Sequence, residues 1–157
     1  MYKTIDADDT FRFGRALGGC LQRGDTVLLY GELGTGKSVL ARGAANALGV
    51  REAMASPTFT IMQPYRGEKT NVYHFDLYRL SGPDELFQTG LTDNLGGDGV
   101  SLVEWPQQAD VEPDVRVEID MERCEDLNGR KIDVGIFGMD DRAEAIRAAL
   151  KGWEDDR

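Results

Sequence analysis

The chain has 157 residues, enough for one domain with a continuous core. Hydrophobic residues make up 41% and charged residues 29%, which is typical of a folded globular protein and argues against wholesale disorder. The 28 acidic side chains outnumber the 18 basic ones, and the resulting net charge of −10 argues against a protein that binds nucleic acid on its own, because phosphate binding needs a basic face.

The first third of the chain alternates helical and strand patterns. Residues 10–21 have the periodicity of an amphipathic helix, with Thr10 as the predicted N-cap. Residues 26–30 form a short apolar run, typical of a strand buried on both faces of a parallel sheet. Residues 37–48 predict a second helix, which Gly49 ends.

The middle of the chain predicts a hairpin, a helix and a further buried strand. The runs 58–65 and 71–78 flank a turn at Gly67 and are expected to pair. Gly82-Pro83-Asp84-Glu85 is typical of a helix start, with proline in the first turn and acids that complement the helix dipole. Residues 100–103 are a short apolar strand that ends at Glu104.

Residues 115–121 and 131–137 alternate well enough to predict two paired strands, and residues 140–153 predict a terminal helix. The elements together predict one α/β domain over residues 1–157. We expect a mainly parallel sheet flanked by helices, with antiparallel strands at its edge.

Several protein classes are excluded by what the sequence lacks. No apolar run approaches the ~18–20 residues that cross a bilayer, and no secretory signal is visible at the start. Cys20 and Cys124 lie far apart without Cys-x-x-Cys spacing, so we expect two reduced thiols. The single histidine, His74, cannot build a histidine-rich zinc site. These features favour a cytoplasmic protein that makes no contact with membranes.

One motif carries the chemistry. Gly31-Glu32-Leu33-Gly34-Thr35-Gly36-Lys37-Ser38 fits the pattern G-x-x-x-x-G-K-[ST] between a predicted strand and a predicted helix. Gly34 and Gly36 allow the backbone to wrap a phosphate with its N–H groups pointing inward. Lys37 would meet the β- and γ-phosphates, and the Ser38 hydroxyl is a hard ligand for Mg²⁺. The motif predicts binding of a magnesium–nucleotide complex, and the lack of a guanine-reading Asn-Lys-x-Asp favours ATP.

A P-loop enzyme needs further oxygen ligands at neighbouring strand ends. Thr58 follows the P-loop helix where a switch-like loop would lie, Asp76 ends a predicted strand, and Glu104 ends the buried strand 100–103. Each could instead be a capping threonine or a solvated acid. His74 is expected to be a packing residue rather than a base.

Charge is unevenly distributed along the chain. Residues 1–51 hold seven basic and five acidic side chains, whereas residues 52–157 hold eleven basic and twenty-three acidic ones. The local basic excess therefore coincides with the predicted phosphate site, where an anionic ligand would bind.

Four motifs in order resemble the bacterial TsaE (YjeE) ATPase family. They are the P-loop motif, Ser56-Pro57-Thr58-Phe59-Thr60, Tyr73-His74-Phe75-Asp76-Leu77-Tyr78-Arg79-Leu80, and Val103-Glu104-Trp105-Pro106. The resemblance covers about residues 5–110. It implies a small cytoplasmic P-loop ATPase that works with the partner subunits TsaB and TsaD. Those partners hold the tRNA and transfer a threonylcarbamoyl group to its adenosine 37, while ATP hydrolysis resets or licenses the complex.

The resemblance also implies roles for particular residues. The phosphates would be bound by Leu33, Gly34, Thr35, Gly36, Lys37 and Ser38. Thr58 would belong to a switch-like loop and Trp105 would lie near the nucleotide. Ser38 and Glu104 would ligate Mg²⁺, and Lys37, Asp76 and Glu104 would form the catalytic set. Ser38 stands where the family more usually has threonine, and it keeps the hydroxyl.

Two other functions fit the P-loop. A stand-alone small-molecule kinase would need its own acceptor pocket, usually with an arginine-bearing lid, and would turn over ATP with that acceptor alone. A nucleotide-sensing module would bind without meaningful turnover. The partner-dependent ATPase instead predicts weak hydrolysis by the isolated chain, because the sequence identifies no arginine finger.

Overall fold

The computed structural model describes residues 1–54, 61–80, 82–88, 95, 97–126 and 128–155. The strands are β1 (Tyr2–Thr4), β2 (Thr26–Tyr30), β3 (Met62–Tyr65), β4 (Asn71–Asp76), β5 (Gly99–Glu104), β6 (Arg116–Arg123) and β7 (Arg130–Phe137). The helices are α1 (Ala7–Gly18), α2 (Lys37–Ala47), α3 (Pro83–Gln88) and α4 (Asp140–Leu150).

The seven strands form one sheet in the order β1-β7-β6-β2-β5-β4-β3. The four central strands β6, β2, β5 and β4 are parallel. At the edges, β7 and β1 on one side and β3 on the other pair in antiparallel fashion. The predicted α/β class, with a parallel centre and antiparallel edges, is confirmed. The carboxyl ends of the four parallel strands meet at one edge of the sheet, where open α/β folds bind ligands.

Two apolar clusters lie on the two faces of this sheet. Successive residues of β2 alternate between them, with Val27 and Leu29 in the larger cluster and Leu28 in the smaller one. The larger cluster is filled by α1, α2 and α4, and the smaller one packs against residues 106–111. Of the helices that the structure describes, none has the length and apolar character to cross a membrane. Cys20 and Cys124 are both free thiols.

Most predicted elements are confirmed, some with shifted ends. The strand 26–30 is confirmed residue for residue, and α2 ends one residue before the predicted helix. The two hairpins and the helix beginning at Pro83 are also confirmed, although residues 58–60 of the first hairpin lie outside the described residues. The terminal helix is shorter than predicted, because α4 ends at Leu150 and a 3-10 turn, Lys151–Trp153, follows.

The predicted start of α1 was wrong. Asp6, and not Thr10, is the N-cap, and its Oδ1 accepts a hydrogen bond of 2.8 Å from the backbone N–H of Asp9. Thr10 lies inside the helix, where its hydroxyl is 2.7 Å from that of Thr4. The apolar periodicity begins only after a polar first turn, so it could not mark the true start. β1 has no predicted counterpart, since three residues are too few to show a period.

α1 and α2 pack so closely that their backbones touch. A Cβ atom at Gly14 would lie 2.2 Å from the carbonyl oxygen of Leu40, and one at Gly43 would lie 2.1 Å from that of Phe11. Gly18 repeats this contact one turn further along α1. Because α2 begins at Lys37, within the motif of residues 31–38, this contact fixes the position of the predicted phosphate site.

We expect Gly14→Ala to lower the free energy of unfolding by about 1–3 kcal/mol, because the added methyl group collides with the backbone of α2. We expect this loss of stability even though alanine is more favourable than glycine inside a helix, by about 1 kcal/mol. Urea denaturation followed by circular dichroism would measure it. Gly19→Ala is the matched control, since Gly19 has φ −62° and its nearest neighbours lie at ordinary contact distance. Equal stability of the two variants would contradict the close-contact argument.

Candidate functional site

A glycine-rich loop, residues 31–38, leads from the end of β2 into α2. Gly31, Gly34 and Gly36 have φ values of +144°, +79° and +98°, which are strained for any residue with a side chain. Gly36 is also the N-cap of α2, so no capping side chain competes for the first N–H groups of that helix. The loop can therefore curve around an anion and present the helix N-terminus to it.

A cavity of about 420 Å³ lies beside this loop, a size typical of small-molecule sites. Its lining brings together eight of the predicted site residues with Val39 and Arg130. The eight are Leu33, Gly34, Gly36, Lys37, Ser38, Asp76, Glu104 and Trp105. Thr35 is a buried residue of the loop itself, and its hydroxyl donates to the carbonyl of Glu32 at 3.0 Å. Thr58 lies outside the described residues.

Parallel pairing of β4 and β5 places the two acidic site residues side by side, with Asp76 opposite Glu104. Glu104 is 4% exposed. The Ser38 hydroxyl lies 3.1 Å from each oxygen of its carboxylate. The first turn of α2 and the end of β5 are therefore joined through a hydroxyl and a carboxylate, both of which are hard oxygen ligands.

His74 is a site residue that sequence reasoning missed. Its Nε2 lies 2.6 Å from Oε2 of Glu104, and the imidazole is 1% exposed. Nδ1 is buried and has no hydrogen-bond partner among the described residues, so Nε2 is the nitrogen that orients the carboxylate. A signal was available, since His74 precedes Asp76 by two residues and alternate residues of a strand share a face.

Lys37 is 5% exposed and folds back onto its own loop. Its ammonium donates to the carbonyl oxygens of Gly31 and Glu32 and lies 3.8 Å from the centroid of the Trp105 ring. Burial lowers the pKa of Lys37, while the nearby carboxylates, Glu104 first among them, act in the opposite direction. The loop thus holds a partly desolvated cation whose acceptors are uncharged carbonyl oxygens, which an anion can replace.

Trp105 adopts a left-handed backbone conformation, with φ 59° and ψ 47°. Such a conformation in a large residue costs about 1–2 kcal/mol and is found where surrounding structure enforces it. Because Trp105 directly follows Glu104, the last residue of β5, its left-handed backbone turns the chain sharply at the end of that strand. The ring centroid of Tyr78 lies 4.8 Å from that of Trp105. The turn places the indole over Lys37 at the cavity wall.

The carboxylate of Asp76 is half-buried at the end of β4. Its Oδ1 accepts a hydrogen bond of 3.1 Å from the backbone N–H of Tyr78. Burial raises the pKa of Asp76, and the charge of Glu104 adds to that rise. The Tyr78 hydrogen bond, His74 and Lys37 partly offset it. Asp76 is therefore a stronger proton acceptor than an exposed aspartate would be.

Two arginines that sequence reasoning missed reach the loop from the adjoining ends of β6 and β7. Arg123 donates from Nη2 to the carbonyl oxygens of Leu33 and Gly34, at 3.3 and 3.2 Å. Arg130 donates from Nε to the carbonyl of Thr35 at 2.7 Å and also lines the cavity. No motif pointed to them, because the family resemblance ended near residue 110.

The oxygen ligands at this site suit a magnesium ion. Mg²⁺ usually takes one or two protein oxygens and completes its shell with water and substrate phosphates. Ser38 and Glu104 supply such oxygens next to the loop, and Asp76 lies beside them. No group of three or more histidine, cysteine or acidic residues suited to a metal occurs in the described parts of the chain. An ion held by Ser38 and Glu104 would take its remaining ligands from water and phosphate.

Comparisons with known proteins agree on one family. The model for "Threonylcarbamoyl adenosine biosynthesis protein TsaE" matches residues 4–132. The tRNA threonylcarbamoyladenosine biosynthesis protein TsaE of Treponema pallidum is 38% identical over 123 residues, which is 78% of this chain and 90% of the relative. The protein of the same name from Streptomyces coelicolor is 47% identical over 95 residues, 59% of this chain and 64% of the relative.

A solved structure supports the fold. The crystal structure of Bacillus subtilis YdiB superposes with a TM-score of 0.74 at 28% sequence identity, covering 96% of this chain and 93% of that one. The match covers nearly the whole chain and agrees with the mixed sheet and its flanking helices.

We expect Asp76→Asn to raise the free energy of unfolding at pH 7, because the site disfavours the charged carboxylate. The folded-state pKa lies above the unfolded value of about 3.9. Below the unfolded pKa both states are protonated, so the gain should vanish there. The stability advantage of Asp76→Asn should grow as pH rises through the folded-state pKa of Asp76, because the wild type loses stability over that range.

Urea unfolding in magnesium-free buffer from pH 3.5 to 7 would measure this difference. Glu144→Gln removes one negative charge from an exposed position on α4 and serves as the control. An Asp76→Asn variant that is less stable than the wild type at pH 7 would contradict the electrostatic argument.

Proposed function

This chain belongs to the family of threonylcarbamoyl adenosine biosynthesis protein TsaE, and we propose that it is the magnesium-dependent ATPase subunit of that pathway. In this role it hydrolyses ATP in the cytoplasm and supports threonylcarbamoyl transfer to adenosine 37 of tRNA, which TsaB and TsaD carry out. The observation that carries the proposal is the Ser38–Glu104 contact beside the glycine-rich loop, since a P-loop ATPase needs a hydroxyl and an acid at that place.

The loop and α2 account for phosphate binding. The inward N–H groups of the loop and the N-terminus of α2 bind the β-phosphate. Lys37 exchanges its contacts with the carbonyls of Gly31 and Glu32 for phosphate oxygens. The exchange is favourable because an ammonium binds an ionised phosphate more strongly than neutral carbonyls.

Ser38 and Glu104 would hold magnesium, which neutralises charge on the transferring phosphoryl group when bound. The Ser38 hydroxyl oxygen already lies 3.1 Å from each carboxylate oxygen of Glu104, so these ligands need little rearrangement to share one ion. His74 fixes the Glu104 carboxylate from its buried side through Nε2. Asp76 would then orient the attacking water and accept its proton, a role that its raised pKa suits.

The proposed dependence on a partner would follow if the described lining of the cavity supplies no arginine finger. Arg130 lines the cavity, but its Nε, Nη1 and Nη2 all donate to main-chain carbonyls. The guanidinium of Arg130 is therefore already engaged by the main chain, and Arg130 does not act as an arginine finger. We propose that a partner subunit supplies the charge that stabilises the transition state, so that the isolated chain hydrolyses ATP slowly. The predicted switch-like role of Thr58 stays part of this proposal.

Hydrolysis assays with and without the two partner subunits would test the function. We expect the partners to stimulate wild-type turnover, and we expect Lys37→Ala to weaken ATP binding by roughly ten-fold or more, since it removes a charge-assisted contact. Lys151→Ala, an exposed lysine after α4, is the control. Equal slow rates in every mixture would refute partner activation, and rapid turnover with a small-molecule acceptor alone would favour a kinase.

Glu104→Gln should separate binding from turnover. The amide keeps the shape of the side chain but loses the charge that a magnesium ion requires, so we expect about 100-fold slower hydrolysis with ATP binding largely kept. Calorimetry for binding and phosphate release for turnover would measure the two effects. Retained partner-stimulated turnover would remove Glu104 from the magnesium site.

A further inference from the structure

Arg123 and Arg130, which we call the arginine clasp, hold the glycine-rich loop by its main chain. Besides the bonds already described, Arg123 Nε donates to the carbonyl of Gly34 at 3.3 Å and Arg130 Nη2 donates to the same oxygen at 3.4 Å. Five hydrogen bonds therefore converge on three consecutive carbonyl groups, those of Leu33, Gly34 and Thr35.

The direction of these carbonyls fixes the direction of the N–H groups that follow them. In a trans peptide the C=O and N–H bonds point to opposite sides. The carbonyls of residues 33–35 face the clasp, so the N–H groups of residues 34–36 face away from it. A loop whose donors already converge loses less conformational entropy when an anion binds. The two guanidinium charges also make the electrostatic potential at the loop more positive.

The arginine clasp places two like charges next to each other in the sheet. Arg123 and Arg130 lie directly opposite each other in the register of β6 and β7, and like charges in such a pair destabilise a sheet. The clasp also constrains the loop sequence, since a Cβ atom at Gly34 would lie 2.2 Å from Nη2 of Arg123. A local arrangement that opposes sheet stability and is still formed points to a functional role.

We propose that Arg123 and Arg130 are positioning residues that preset the glycine-rich loop for nucleotide phosphates. They act through the loop's main chain, to which both guanidinium groups donate hydrogen bonds. Arginine suits the task because its planar fork can bridge two carbonyl oxygens at once, which the single ammonium of lysine does less well. This inference rests on the proposed function, because it assumes that the loop binds nucleotide phosphates.

The test compares Arg123→Gln and Arg130→Gln with the lysine variants at the same positions, in the full chain with Mg²⁺ present. Arg51→Gln is the matched control, since Arg51 is exposed and pairs only with the Glu68 carboxylate across 3.1 Å among the contacts described. Calorimetry would measure ADP affinity. Proton–nitrogen spectra would follow the Gly34, Thr35 and Gly36 amides, and thermal unfolding without nucleotide would report stability.

We expect each glutamine variant to bind ADP roughly ten-fold more weakly than the wild type. Each lysine variant should show a smaller loss of ADP affinity. The shifts that ADP induces in the three amide signals should shrink in the glutamine variants and stay unchanged in Arg51→Gln. If the glutamine variants do not fold, the lysine variants carry the test, with a smaller loss of affinity and smaller amide shifts expected in the same direction.

Unchanged ADP affinity and unchanged amide shifts in folded clasp variants would overturn the clasp alone. A lowered unfolding temperature with wild-type amide shifts would do the same, because it would show a structural role only. A wild-type chain that binds no ADP at all would instead overturn the proposed function, and the clasp with it.

Discussion

The carboxylate of Glu104 is 4% exposed and needs hydrogen-bond partners. Removing an ionised group from water costs free energy unless hydrogen bonds compensate it. Glu104 finds them in the hydroxyl of Ser38 and the imidazole of His74. These three residues come from β5, α2 and β4, so one buried charge joins the central strands to the helix behind the glycine-rich loop. The cavity, the position of Asp76 and the turn at Trp105 all depend on where this charge lies.

Much of this site could be predicted because its parts follow from local rules. A short apolar run before a glycine-rich motif predicts β2 and the loop, and an acid at the end of a buried strand predicts Glu104. Asp76 followed from the same rule on the neighbouring strand. These predictions needed only the sequence near each residue and the fact that parallel strands end at one edge of the sheet.

What escaped prediction depends on contacts between distant segments. The role of His74 requires knowing that β4 pairs with β5 in a register that opposes His74 to Leu102 and Asp76 to Glu104. The clasp requires the adjoining ends of β6 and β7 to meet a loop about 90 residues earlier in the chain. The start of α1 depends on a single side-chain cap at Asp6, which the later apolar periodicity does not locate.

The backbone contact between α1 and α2 has a mechanical consequence. Helices that meet through long side chains can slide past each other as rotamers adjust, which is the basis of shear motions in proteins. At Gly14 and Gly43 no side chain lies between the two backbones, so such sliding would drive main-chain atoms together. We therefore expect α1 and α2 to move together. If ATP binds as proposed, a change of shape at the site has to come from elements other than a slide between these two helices.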